Sequence, residues 1–142
     1  MINYVLGFAF NAKKEKVVLI KKNDKIPELA GKLNGLGGKQ KRGEHPQRTM
    51  EREFFEESGV QIVSWMWREE GVFTSPRWSV KVFTACSDEI LKAQTMEDEQ
   101  VIIVRLRALP VLEEHQALCP NVSLLVGLCL NPRIKRFSFE EE

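Results

Sequence analysis

Hydrophobic and polar positions change period several times along the chain, and each change predicts an element. Residues 2–10 and 16–22 are rich in β-branched and aromatic side chains. Asn11-Ala12-Lys13-Lys14-Glu15 between them reads as a turn, so the two runs predict a hairpin. Residues 23–32 contain Asn23-Asp24, Pro27 and Gly31 and predict a loop. Leu33-Asn34-Gly35-Leu36 is a short extended piece before Gly37-Gly38. A helix is expected from about Pro46, which suits a first turn, to Gly59, which suits a C-terminal stop. Strands are expected over roughly 60–73, with an irregularity, then over 79–86 and 100–106. Pro120 and Asn121 open a second, apolar helix to about Leu130, stopped by Asn131-Pro132. The order β-β-β-α-β-β-β-α predicts an α/β (α+β) fold with a mixed sheet held between helices. Residues 133–142 end in Glu140–Glu142 and are expected to form a flexible acidic tail.

At 142 residues the chain suits a single domain, and at 43% hydrophobic and 29% charged it reads as an ordinary globular protein. A net charge of +1 argues against an extended nucleic-acid partner, which calls for a basic excess. The charges are segregated, however. Lysines crowd the first third, while acids gather at 51–57, 97–99 and 140–142. A basic approach beside an acidic metal site suits a polyanionic substrate, although solvated surface charge accounts for most single lysines. Cys86, Cys119 and Cys129 lack any C-x-x-C spacing, and buried free thiols in a reducing compartment are expected. The apolar N-terminus has no basic region before it, so a signal peptide is not expected. No stretch approaches the ~20 apolar residues of a membrane span. A soluble, cytoplasmic protein is the expectation.

The informative chemistry lies between Gly38 and Val60. Residues three and four apart on a helix share a face, so Glu53, Glu56 and Glu57 present their carboxylates in one arc. Like charges at that spacing cost about 0.2–0.5 kcal/mol per pair. A hard divalent cation offsets the repulsion, since Mg²⁺ takes oxygen ligands from a few carboxylates, waters and phosphates. A solvated acidic face neutralised by Arg48 and Arg52 is the competing explanation. The flanks favour the metal: Gly37-Gly38 permits close backbone approach, Lys39 follows, and the loop runs into a helix N-terminus that favours anions.

This stretch resembles the Nudix box, G-x5-E-x7-R-E-U-x-E-E-x-G-U with U apolar. All nine specified positions match: Gly38, Glu44, Arg52, Glu53, Phe54, Glu56, Glu57, Gly59 and Val60. Phe54 is a mild departure, because the family usually has an aliphatic residue there. The resemblance implies a Nudix α/β/α sandwich over residues 1–142. It implies a metal-dependent hydrolase of phosphoanhydride bonds, with Mg²⁺ as the ion and Mn²⁺ as the alternative. Glu53, Glu56 and Glu57 would be metal ligands together with the Gly38 carbonyl. Arg52 would orient Glu53. Glu44 would act near the metals or as a structural partner of the helix. Glu97 or Glu99, in the acidic turn before the 100–106 strand, would supply an acid that touches the metals, unless that turn is merely solvated.

The resemblance also bears on substrate. Asn34-Gly35-Leu36-Gly37-Gly38-Lys39 is similar to the N-G-x-G-G-K run of MutT-like hydrolases of oxidised purine nucleoside triphosphates such as 8-oxo-dGTP. Asn34 would then read a base edge, and Lys39 would meet the phosphates; Asn-Gly is equally a turn dipeptide. Asn121 would contact the base or cap the last helix. Trp78, in Ser75-Pro76-Arg77-Trp78, would stack on the nucleotide, with core packing as its other explanation; Trp65 and Trp67 are read the same way. His45 and His115 are assigned no role. The expected partner is a small nucleotide, hydrolysed to the monophosphate and pyrophosphate. Hydrolysis of ADP-ribose, a dinucleoside polyphosphate or an RNA cap is the alternative, kept open by Pro76 sixteen residues beyond Val60. A catalytically silent nucleotide-binding domain is the third reading. Silent relatives typically lose box glutamates, and this chain keeps them.

Overall fold

The computed structural model describes all residues, 1–142. Its central strand is β1 (Ile2–Phe10), which pairs in parallel with β6 (Trp78–Cys86) along its whole length, from Ile2 against Trp78 to Phe10 against Cys86. On its other side β1 pairs antiparallel with β4 (Leu36–Lys39), Tyr4 facing Lys39 and Gly7 facing Leu36. β2 (Lys16–Lys21) touches β1 only at Phe10–Val17. The expected hairpin is therefore a turn whose strands diverge at once into separate ladders. The turn closes on the Asn11 carboxamide oxygen, which accepts the N–H groups of Glu15 (2.8 Å) and Lys16 (2.9 Å). β2 then pairs with β7 (Val101–Arg105) and, at Ile20 and Lys21, with β3 (Leu33–Asn34).

The helix predicted around the carboxylates forms as α1 (Pro46–Ser58). His45 precedes it in extended conformation, and its ring accepts the Gln47 N–H at 3.4 Å, a capping role that the sequence had not suggested. Gly59 stops it in the left-handed region at φ 75°, donating its N–H to the Phe55 carbonyl. Met50 and Phe54 pack inward from α1 onto Val5, Ala9, Val18, Leu36 and Trp67. The second core lies on the opposite sheet face, where α3 (Val122–Leu130) covers Phe8, Phe10, Leu19 and Val82 with Val122, Leu125 and Val126. A sheet between α1 and α3 is the expected α/β/α arrangement.

Several details depart from the expectations. Residues 60–63 are not a strand; a 3-10 turn at Ser64–Met66 intervenes before β5 (Arg68–Thr74). The irregularity is a register shift between Glu69 and Gly71 against β6 that accompanies the burial of Glu70, which accepts the Thr84 hydroxyl at 2.8 Å. A short helix, α2 (Leu109–Glu114), precedes α3. The flexible tail expected over 133–142 is replaced in part by β8 (Phe137–Glu140), paired in parallel with the edge of β5. Alternation explains it: Phe137 and Phe139 fall on one side of the strand and both meet Phe73, with Phe139 stacked on it at 5.0 Å. Among the cysteines, Cys119 is buried as expected, whereas Cys86 is exposed and Cys129 half-buried, its thiol pushed up to about 12 by burial. Trp67 is wholly buried with its indole N–H on the Ile62 carbonyl, and Trp65 is 81% exposed. Pro76 sits at the β5–β6 turn. No helix is long and apolar enough to cross a membrane.

Candidate active site

Two glycines let β4 lie against α1. A Cβ on Gly37 would stand 2.0 Å from the Val5 carbonyl oxygen, and one on Gly38 would stand 2.5 Å from the Glu53 carboxyl carbon. The bare backbone of Gly38 is thus the floor of a cradle that the Glu53 carboxylate already occupies. One helical turn further on, Glu57 is 7% exposed and accepts the Gly37 N–H at 3.0 Å. Burial pushes its carboxyl up to about 8, only partly opposed by the Gly37 hydrogen bond. Burial raises Glu53 as well, against the opposing pull of Arg52.

Arg52 is the hub. Its Nε and Nη2 donate to the two oxygens of Glu44 at 2.8 and 2.9 Å, a bidentate pair. Nη1 donates to Glu53 at 2.9 Å and reaches Glu56 at 3.4 Å; Nη2 also donates to the Lys39 carbonyl at 3.2 Å. Glu44 further accepts the Thr49 hydroxyl (2.8 Å) and the Lys41 N–H (3.2 Å). The Arg52 guanidinium, with these donors, holds Glu44 down to about 2, and Glu44 and Glu53 in turn hold Arg52 firmly charged. Of the two roles left open for Glu44, the structure displays the structural one: it clamps the β4–α1 loop onto the helix. Thr49 and Gln40, which bonds the Glu44 carbonyl, complete the clamp; nothing in the sequence marked them.

The acids do not close around one point by themselves, because Arg52 engages Glu53 and Glu56 while the Gly37 amide engages Glu57. The donor set nevertheless suits a hard divalent cation. It consists of carboxylate oxygens and a glycine carbonyl, Glu57 is buried without an ion-pair partner, and Gly38 turns side-chain-free backbone to the Glu53 carboxylate.

Glu99 approaches from the loop before β7. It accepts the Asn23 N–H at 2.6 Å and pairs with Lys22 at 3.3 Å, and both Lys22 and Glu99 act on the charge of Glu57. Lys22 escaped the sequence reading; its only signal was a cation ending an apolar run. Asn34 and Asn121 are far apart in sequence but are joined through their neighbours. Leu33 donates its N–H to the Ala117 carbonyl and accepts the Cys119 N–H, both at 2.8 Å. The Asn34 side chain accepts the Gly35 N–H. Asn121 precedes α3 in the left-handed region at φ 73° and makes no side-chain cap, so capping does not account for it.

Trp78 stands apart from both asparagines, half-buried opposite Ile2, five strand positions or ~16 Å from Gly7. Lys39, on β4, is exposed beside Gly38. It ends a row of register partners that crosses five strands, Lys39, Tyr4, Val80, Phe73 and Phe139. Partners directly opposite share a face.

Comparison with known proteins agrees with this layout. The model of the NUDIX domain matches residues 3–121. Among solved structures, the fold is similar to that of the mutator MutT protein from Bacillus halodurans, with a TM-score of 0.71 at 18% identity, covering 99% of this chain and 90% of that one. It is similar also to a MutT structure from work on Aliivibrio salmonicida and Vibrio cholerae, at a TM-score of 0.66 and 20% identity, over 88% of this chain and 91% of that one. A Deinococcus radiodurans protein, DR0079, gives a TM-score of 0.66 at 19% identity over 92% and 83%. Curated protein sequences give no match. Nudix hydrolases generally need divalent metal ions. With the domain model spanning most of its length and every specified position of the box in place from Gly38 on β4 to Val60 just past α1, this chain belongs to the Nudix family and is a hydrolase of phosphoanhydride bonds.

Proposed function

We propose that the chain is a nucleoside triphosphate pyrophosphohydrolase, acting on an oxidised or otherwise modified purine nucleotide and using Mg²⁺. The observation that carries this reading is the pair of backbone bonds from Leu33 to Ala117 and Cys119. They bring the segments that carry Asn34 and Asn121 to the same edge of the sheet, at β3, and Asn34 lies three residues from Gly37, whose amide holds Glu57. A carboxamide both donates and accepts, which suits the edge of a purine. A base read there leaves its phosphates beside Gly38, Lys39 and the glutamates.

In this reading Glu53, Glu56 and Glu57, with the Gly38 carbonyl, hold the metal. The ion supplies, when bound, a water of lowered pKa and charge neutralisation on the phosphate oxygens. Arg52 keeps Glu53 pointed at Gly38. Glu99 keeps Lys22 near Glu57, where a cation favours an approaching phosphate. Lys39 adds positive charge at the mouth, and Trp78 bounds the outer margin of the same sheet.

The test is a substrate panel of ordinary and oxidised nucleoside triphosphates, ADP-ribose and dinucleoside polyphosphates, scored by product. Monophosphate plus pyrophosphate from a triphosphate is expected as the best reaction, with Glu57→Gln lowering kcat at least ~100-fold at saturating metal. Asn34→Ala and Asn121→Ala are expected to change the preference among bases by roughly tenfold while slowing the best substrate less. An unchanged preference in both variants would sink the base-reading role.

A further inference from the structure

Beside Glu53, on the side of Gly38 away from Asn34, a cleft of about 780 Å³ opens between the start of β1 and the β4–α1 loop. Its walls carry Lys39, Lys41, Arg42, Arg52 and Glu53, with Asn3 at its edge. Arg52 is committed to carboxylates on three sides. Lys39, Lys41 and Arg42 are not: none has an acid within ion-pair distance, although the chain has 20 acidic residues and forms nine ion pairs, three of them at Arg52. Three unpaired cations converge on a concavity far larger than one phosphate requires.

The loop that carries them is held in place. The Gln40 N–H donates to the Asn3 carbonyl at 2.8 Å, and the Glu44 N–H donates to the Lys41 carbonyl at 3.0 Å, closing a tight turn through Arg42 and Gly43. Gly43 sits at φ 78°, which the turn requires. The Glu44 carboxylate takes the Lys41 N–H from below while gripping Arg52. The same clamp that fixes the box therefore also fixes the backbone beneath Lys41 and Arg42, so their positive charge is organised before anything binds.

We propose that this cleft is a subsite for the polyphosphate that departs in the reaction, and that the length of the phosphate chain determines which substrates are preferred. The proposal rests on the nucleotide reading above and extends it. The nucleoside lies toward Asn34 and Asn121, the scissile phosphoanhydride beside Glu53, and the remaining phosphates run past Lys39 toward Lys41 and Arg42. In the reaction the oxygen of water forms the new bond to phosphorus. The bridging P–O bond breaks, its electron pair leaves with the polyphosphate, and the attacking water gives up a proton to solvent. Neither oxidant nor reductant takes part. A nucleotide whose distal group is an uncharged sugar leaves the three cations unused.

Calorimetric titration of the full chain with inorganic pyrophosphate and tripolyphosphate, in chelator so that no metal contributes, tests the subsite separately from catalysis. Tripolyphosphate is expected to bind roughly tenfold tighter than pyrophosphate, and Lys41→Gln with Arg42→Gln is expected to remove that advantage. Both side chains are exposed, so the double variant keeps the fold. Lys13→Gln, on the distant β1–β2 turn, serves as the control. In turnover, the double variant is expected to raise KM for triphosphates more than it lowers kcat and to leave ADP-ribose hydrolysis, if present, unaffected. Equal binding of the two anions, or tripolyphosphate binding that survives the double substitution, overturns the subsite. If no nucleoside triphosphate is hydrolysed while tripolyphosphate still depends on Lys41 and Arg42, the subsite stands and the nucleotide reading falls.

Discussion

At the scale of single residues the site is governed by how few cations face many acids. Arg52 serves Glu44, Glu53 and Glu56 together, while Glu57 is buried with one amide for company. The two extremes, Glu44 held down to about 2 and Glu57 pushed up to about 8, stand at opposite ends of the same helix. The consequence for Glu44 is measurable. Its folded pKa lies below the ordinary glutamate value of 4.5, so its contribution to stability is complete above that value and is lost as pH falls toward 2. Glu44→Gln is expected to cost about 1–2 kcal/mol at neutral pH, because solvent screens part of the Arg52 interaction, with the gap to the parent chain narrowing from pH 4.5 downward. Denaturant midpoints of both chains across that range check it. A gap that stays constant to pH 2 would mean that the Arg52 clamp does not hold the loop.

At the scale of elements, β4 and α1 work as one unit because neighbouring glycines solve two different problems. Gly37 gives way to the backbone of β1, whereas Gly38 gives way to the carboxylate of Glu53. Alanine at these adjacent positions is therefore expected to act in opposite ways. Gly37→Ala meets a carbonyl that cannot move and should cost about 2–3 kcal/mol of stability, read in urea denaturation. Gly38→Ala meets the free end of a side chain. It should leave stability within about 1 kcal/mol while displacing Glu53 and lowering kcat roughly tenfold or more. Equal loss of stability in both variants would count against the Gly38 cradle as a functional feature.

At the scale of the whole molecule, the matched domain ends at residue 121, yet the sheet continues beyond it. β8 returns to the open edge of β5 and covers Gly71 with the ring of Phe137, which an added Cβ at Gly71 would strike at 2.2 Å. This edge lies three strands from β1, on which α1 and its glutamates pack. Removing residues 137–142 is expected to lower stability by about 2 kcal/mol, a Tm shift of roughly 4–8 °C, while changing kcat less than twofold. A thermal melt paired with initial rates separates the two effects. A large loss of activity at unchanged Tm would place β8 in substrate binding instead.

What the amino-acid sequence determined by itself is local or strictly spaced. The helix over 46–58 was legible because proline, glycine and the 3.6-residue period all act within a few bonds of one another. The box was legible because three- and four-residue spacing suffices to gather Glu53, Glu56 and Glu57 on one face. The register of β1 was not legible: an apolar run states that a strand exists, not that it will leave its hairpin partner for β4 and β6. The same holds for β8, whose four residues carry an alternation too short to stand out beside the acidic end. Only the tertiary structure decided that Glu44 serves Arg52, that Lys22 belongs with Glu99, and that Leu33 bridges to Cys119 so that the segments carrying two asparagines 87 residues apart meet at one edge of the sheet. Those are pairings across long loops, where the partner is set by how the two cores close and by which backbone groups remain unsatisfied. No periodicity in the chain encodes that outcome.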